Sequence, residues 1–247
     1  IFPETKEYTR PKFVNTTECS KNTVDFFFRR GISQKTLNDA KVTESLEWMP
    51  GCDVGKTVKA INFNYFRDGV LVNTKFRDGK KGFKLSKNAE LIFYGLDNIK
   101  DTDTAIIVEG EPDSLSYWQA GRMDCVSVPN GASKSTNANL FYLDNCIDYF
   151  KNKKKIILAT DADAAGMALR DELARRLGYH RCFKVNYKDC KDANEYLVKY
   201  GEKALLETVM DKNLIEFPIK GIITVKQKWG DVMNLRETGL QRGDLTE

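Results

Sequence analysis

The sequence predicts an α/β chain, a parallel sheet with helices on both faces, preceded by a smaller α+β unit rich in basic residues. Two observations carry this. Three short apolar runs, AIIVE (105–109), CVSVP (125–129, a strand over 124–128) and KIILATD (155–161), each end in a turn signal, and helical stretches at 112–121, 137–150 and 164–177 separate them. Alternation of that kind requires crossover connections and therefore parallel pairing. Ahead of these runs, Ile61, Phe63 and Tyr65 alternate, Asp68-Gly69 marks a hairpin turn, and Val70, Val72, Thr74 and Phe76 alternate on the return.

Taken in order, residues 1–19 lack periodicity and contain two prolines, so they read as an extended leader. Residues 20–100 form the α+β unit. Ser20 is placed to cap a helix whose Val24, Phe27 and Phe28 fall at i, i+3 and i+4, with Gly31 as its stop; Ser33 starts a second short helix through Leu37. The Phe26-Phe27-Phe28 triple reads as core, and Arg29 and Arg30 as the close of a helix C-terminus. A second Asp-Gly pair, Asp78-Gly79, precedes Phe83 and Leu85, giving a meander of about three antiparallel strands. Residues 101–212 hold the parallel sheet, with a fourth strand at CFKVNY (182–187) and helices near 192–200 and 202–211. Residues 213–247, with Pro218, Gly221 and a turn-rich end, read as a linker toward another module.

Bulk numbers exclude little. The 247 residues are 41% hydrophobic and 30% charged, and the net charge of +4 is too small to establish a nucleic-acid partner without a local patch. No apolar run approaches the roughly 20 residues of a membrane span. The six cysteines contain no CxxC pair and His180 is the single histidine, so no zinc site is expected, and reduced thiols suit a cytoplasmic setting. The chain opens on Ile1 rather than Met and is expected to be a piece of something longer.

Ligands of open parallel sheets gather at the carboxyl ends of the strands. Glu109 ends the first run, Asp161 ends the third, and Asp163 follows two positions on, so all three project to one edge if those strands are neighbours. Two carboxylates about 4 Å apart repel by roughly 4 kcal/mol at an effective dielectric near 20. Such a cluster favours a hard cation, and Mg²⁺ keeps waters that substrate phosphates can displace. The alternative is that Asp161 and Asp163 only cap the helix beginning at Ala164; two acidic strand ends in one sheet favour the metal. At the same edge, Asn130, Gly131 and Ser133 of PNGASKS can present donors to a phosphate, or form a plain strand-to-helix turn. On the returning strand, Lys75 and Arg77 share a face opposite Val72, Thr74 and Phe76, and Lys80, Lys81 and Lys84 continue the positive run. That patch suits template or nucleotide phosphates, the alternative being a solubilised edge strand. The Lys151, Lys153, Lys154, Lys155 cluster lies at the amino end of its strand and reads as a solvated surface.

IIVEGEPDSLS, VSVPNGAS, IILATDADAAGMAL and CKDANEYL, in that order and spacing, resemble the TOPRIM domain of DnaG-type primases, with the nearest likeness to the fused primase–helicases of bacteriophages and their mitochondrial relative Twinkle. FFFRRGISQKTL and the lysine-rich segment before LIFYGL resemble the opening and the basic ridge of those polymerase cores. The resemblance implies a DNA primase core, a nucleotidyltransferase that makes short RNA primers on single-stranded DNA from ribonucleoside triphosphates. It implies Mg²⁺ or Mn²⁺ as cofactor, Glu109, Asp161 and Asp163 as catalytic metal ligands, and Asp113 and Asp192 as further members of the metal site. It makes Lys75, Arg77 and Lys84 candidate nucleotide or template contacts and Lys191 a phosphate or carboxylate partner, otherwise a surface lysine; Asn130 and Ser133 join the nucleotide or DNA contacts from the loop reading alone. Ala165 stands where many TOPRIM proteins carry a third Asp, which favours the primase branch over topoisomerases. The family's zinc-binding domain is expected upstream, and GLQRGDLTE resembles the approach to a replicative helicase, fused or separate. Two other readings share the motifs. One is a non-catalytic DNA-binding and oligomerisation module of a helicase, the other a TOPRIM nuclease.

Overall fold

The structure is a computed structural model and describes residues 7–11, 19–131 and 140–218. The chain divides into a compact unit, Ile1–Glu216, and a second, Phe217–Glu247, of which Phe217 and Pro218 are described. The first unit holds two sheets.

The amino-terminal sheet is antiparallel in the order β1-β2-β3-β4, with β1 at Thr43–Glu47, β2 at Val58–Arg67, β3 at Val70–Asp78 and β4 at Phe83–Leu85. The hairpin lies where the alternation predicts it. Asp68 and Gly69 take φ of 50° and 75°, the double left-handed turn that suits twisted strands, and the Asp97 carboxylate accepts from both of their N–H groups at 2.7 and 2.8 Å. Strand β1 is an addition to the expected meander. Its sequence, TESLE, gives no apolar alternation because Thr43 and Glu44 are themselves buried. Glu44 explains a second departure. Ser20 stands at the start of helix α1 (Lys21–Phe28), but its N–H and hydroxyl donate to the Glu44 carboxylate at 2.7 and 2.9 Å instead of the hydroxyl capping the helix amides. A buried carboxylate without donors costs more than an uncapped exposed helix start. Helix α2 (Gln34–Asp39) is capped as expected, Ser33 accepting from the Thr36 N–H.

The second sheet runs β6-β5-β7-β8-β9. Strands β5 (Thr104–Val108), β6 (Cys125–Ser127), β7 (Lys155–Leu158) and β8 (Cys182–Lys184) are parallel, and β9 (Ile215–Glu216) closes the edge antiparallel to β8. Ile106, Ile107, Val108, Val126 and Ile156 are wholly buried, which is why these strands read as continuous apolar runs. Helices α3 (Glu111–Gln119), α4 (Phe141–Phe150), α5 (Ala164–Leu177) and α6 (Ala193–Thr208) connect them, and α3 packs on α6. The two helices expected near 192–211 are the halves of α6, broken at Gly201, where φ is 83°. The expected start of α4 at residue 137 and the Ser133 loop lie outside the described residues.

An aromatic seam joins the sheets. Phe27, Phe63, Tyr65 and Tyr94 meet edge to face in series, and Tyr94 stacks on Trp118 with centroids 5.2 Å apart. Of the phenylalanine triple expected in the core, only Phe27 is there; Phe28 is 75% exposed and Phe26 is half-buried. Lys153, expected in solvent, is also corrected. It is buried, and its ammonium donates to the carbonyls of Ile99 and Thr102, which satisfies the charge inside the fold.

Candidate active site at the carboxyl edge of the parallel sheet

Strands β5 and β7 are neighbours, so the two acidic strand ends do emerge together. Glu109 follows β5 directly. Asp161 stands three residues past the end of β7, not at its last position, although the Ala159 N–H still reaches the Ile107 carbonyl at 2.8 Å and prolongs the ladder. Gly166 sets how closely α5 approaches this loop. A Cβ there would lie 2.3 Å from the Asp161 carbonyl oxygen, so only glycine lets the first turn of the helix sit against the Asp161 backbone.

Each acidic residue has an identifiable local role. Asp163 is the N-cap of α5, its Oδ1 accepting from the Ala165 and Gly166 N–H groups at 3.0 Å. Capping and site membership are therefore not alternatives for this residue. Asp192 caps α6 through the Glu195 N–H at 2.7 Å. Asp113, in the first turn of α3, accepts from the Asn194 N–H at 3.0 Å. Lys191 reaches both Asp161 Oδ2 at 3.0 Å and Asp163 Oδ2 at 3.2 Å. Its backbone is pinned on both sides, the carbonyl accepting from the Ala162 N–H at 2.8 Å and the N–H donating to Glu195 Oε2 at 2.7 Å. The DxD loop and the KD loop are thereby stitched together.

The electrostatics record how crowded this edge is. Burial, then the facing Asp192 and Asp161 carboxylates, hold Asp113 well above the usual carboxylate range. Burial also raises Asp161, outweighing the Lys191 ammonium beside it. Asp163 goes the other way, lowered first by the Gly166 N–H and then by Lys191. Among the described residues, no three acidic, histidine or cysteine side chains stand close enough to hold an ion as they are oriented. The donor chemistry nonetheless fits a hard divalent cation: every group is a carboxylate oxygen, and the repulsion felt by Asp113 and Asp161 is what a cation relieves.

Residues 106–197 match the Toprim-like family model. The Primase homolog protein of Arabidopsis thaliana is 40% identical over 212 residues, which are 79% of this chain and 60% of that protein. The Twinkle homolog protein, chloroplastic/mitochondrial, of the same plant is 36% identical over 224 residues, 84% of this chain and 30% of that protein. In structure, the primase fragment of the bacteriophage T7 primase-helicase protein superposes with a TM-score of 0.61 at 23% identity, covering 83% of each chain. These likenesses support a TOPRIM-containing chain similar to the DnaG-type primases and to the phage primase–helicases. It spans 60% and 30% of the lengths of the two plant relatives.

Across from the TOPRIM edge lies the basic strand of the amino-terminal sheet. A cleft of about 520 Å³ is lined by Glu109, Asp113 and Asp161 from the TOPRIM edge and by Lys75, Arg77 and Lys84 from the amino-terminal sheet, and Asn130 and Gly131 line it too. The basic residues are less free than an open strand face would leave them. Lys75 and Arg77 are buried, more so than Phe76 on the opposite face. The Lys75 ammonium meets both oxygens of Glu111 at 2.9 and 3.1 Å, and the Tyr65 hydroxyl donates to Glu111 Oε1 at 2.5 Å. Lys84 pairs with Glu47 at 2.9 Å. Arg77 has no hydrogen bond or ion pair among the described residues; its guanidinium lies between aromatic rings, 4.6 Å from the Phe26 centroid and 5.8 Å from that of Phe83. Ser133 lies outside the described residues.

Several residues of this TOPRIM site carry no assignment in the sequence. Glu111 fixes Lys75, and its only signal is the second acid of the EGE triplet. Asn194 is the hub of the motif CKDANEYL. It donates to Asp113, to the Ser116 hydroxyl and to the Arg30 carbonyl, and it accepts from the Arg30 guanidinium at 2.7 Å. Arg30 therefore ties the first helix to the acidic edge and does more than close a helix.

Proposed function

We propose that this chain is the core of a DNA primase, carrying out template-directed synthesis of short RNA primers on single-stranded DNA. One observation supports the reading above the others: carboxylates of one sheet and cations of the other line a single cleft. Nucleotidyl transfer needs both, because the attacking hydroxyl must lose a proton where polyphosphate charge is also neutralised. Glu109, Asp161 and Asp163, with Asp113 and Asp192 behind them, are proposed to hold Mg²⁺ or Mn²⁺. Bound there, the ion would supply Lewis acidity toward the phosphates and the hydroxyl. Arg77 and Lys84 would orient the triphosphate or template backbone, Lys75 would add positive potential from its place against Glu111, and Asn130, Ser133 and Lys191 would add contacts from the TOPRIM side. Residues 20–100 and 101–212 are thus proposed as two walls of one core, with residues 213–247 leading toward a helicase, fused or separate.

Six free cysteines, five of them buried, suit a reducing compartment, whether cytoplasm or organelle matrix. No helix among the described residues is long and apolar enough to cross a membrane. The test is incubation with single-stranded template, labelled ribonucleotides and Mg²⁺ or Mn²⁺. The reading expects a ladder of short RNA that Asp161→Ala reduces by about a hundredfold or more. Template cleavage would instead identify a nuclease, and DNA binding without either product a helicase module.

A further inference from the structure

The residues between the two walls form a row. From the acidic edge, Asp113 accepts from the Asn194 N–H, and Asn194 Oδ1 accepts from Arg30 at 2.7 Å. The Arg30 guanidinium lies 4.9 Å from the Phe26 centroid, and Arg77 lies 4.6 Å from the same ring. Arg77 in turn lies 5.8 Å from Phe83, its partner in the β3–β4 register. All of these are within the range of cation–π attraction. Phe83 is the last member of this alternating row, and it lines the cleft with 47% of its surface exposed. Phe27 and Phe63, by contrast, are wholly buried. The Lys75 ammonium lies 5.2 Å from the Phe83 ring centroid, and Lys84 follows in sequence on the same cleft wall.

We propose that Phe83 is a stacking platform for a nucleobase in the cleft. The inference rests on the primase reading and names a specific contact within that site. An apolar ring left half in water beside cations suits a ligand that is anionic at one end and flat, aromatic and polarisable at the other. A bare anion would use the cations and ignore the ring; an apolar ligand would use the ring and leave Arg77, which has no ion pair among the described residues, without a counter-charge. A nucleotide uses both, its phosphate meeting the cations and its base meeting the π-face. The cleft volume of about 520 Å³ lies within the range of small-ligand pockets, about 300–1,000 Å³. Arg77, 4.6 Å from the Phe26 centroid and 5.8 Å from that of Phe83, links the exposed ring to the row behind it.

The test compares ligands with and without a base, using the full 247-residue chain and no catalytic turnover. ATP is set against ribose 5-triphosphate, and a single-stranded oligonucleotide against its abasic counterpart. Phe83→Ala is expected to weaken the base-bearing ligand by about fivefold to a hundredfold and to leave the base-free one unchanged. Phe83→Trp is expected to retain affinity, and its fluorescence to be quenched as the base stacks. A loss confined to ATP assigns the platform to an incoming nucleotide, and one confined to the oligonucleotide assigns it to a strand; either supports the proposal. Equal losses for ligands with and without a base would overturn it, since Phe83 would then only position the lysines. No loss with either would overturn it as well. Asp161→Ala, assayed in parallel for primer synthesis, keeps failure of stacking distinct from failure of the primase reading.

Discussion

Lys75 and Lys191 each reach from one element to carboxylates on another, under opposite conditions of burial. The Lys75 side chain is 11% exposed and its partner Glu111 2% exposed, with both carboxylate oxygens engaged. The Lys191 side chain is 53% exposed and divides itself between Asp161 and Asp163, which are 13% and 46% exposed. A cation sealed against a single carboxylate acts as a permanent brace, because neither charge can leave without stranding the other. A cation in water, shared between two carboxylates, holds its place at little cost and can yield it. The Lys75–Glu111 pair thus adds a fixed ionic link between the basic sheet and the TOPRIM domain, while the acidic edge is left with an exchangeable positive charge.

The brace gives the largest expected effect. Glu111→Ala strands the buried Lys75 ammonium and is expected to cost about 3–5 kcal/mol of unfolding free energy, read from the urea midpoint at constant m-value. A loss below about 1 kcal/mol would mean that water reaches Lys75, and the contrast with Lys191 would collapse.

Asp113 sharpens the comparison, since it is a buried carboxylate with an amide donor and, among the described residues, no ion pair. Its raised value means that the native state holds the proton more tightly than the unfolded chain does. Its contribution to stability is therefore greatest in acid and falls as pH rises from about 3.9 through the raised native value. Asp113→Asn keeps an oxygen for the Asn194 N–H and removes the charge. It is expected to gain about 1 kcal/mol at neutral pH, with the gain vanishing below the ordinary carboxylate range. The quantity to measure is the difference between the two stability–pH curves, because other carboxylates with lowered values, such as Glu172 at about 2, cancel in it. A difference that does not change with pH would show that Asp113 is not held protonated.

How far the sequence foretells these features depends on whether the cause is local. Helix α5 falls at 164–177 as the pattern predicts, because an N-cap, an apolar stripe and Gly178 all lie within its own residues. The parallel strands are legible because burial on both faces removes polar residues from them. Strand β1 is not, since its buried Glu44 is satisfied by Ser20 and Thr23, more than 20 residues away in sequence. At the site, the carboxylates are legible because strand ends announce themselves. Glu111, Asn194 and Phe83 are not, because what each does is set by a partner from another part of the fold: Lys75, Arg30 and Arg77 respectively. The burial of Lys75 and Arg77 is hidden for the same reason. A period of two assigns residues to a face but does not say what covers it.

Lys191 gives the smallest expected change in stability and the most informative sign. With its side chain half in water, Lys191→Met should alter the unfolding free energy by no more than about 1 kcal/mol. Removing the ammonium leaves Asp161 and Asp163 without the cation they now share, so an added divalent ion no longer competes with it. The affinity for Mn²⁺, followed by the loss of its free-ion resonance signal, is expected to rise about twofold to fivefold, the size of one exposed ion pair. If the ion instead binds more weakly, or if the variant loses as much stability as Glu111→Ala, then Lys191 is a second fixed strut. Its backbone contacts to Ala162 and Glu195 would then be part of the same brace and not a hinge that releases the side chain.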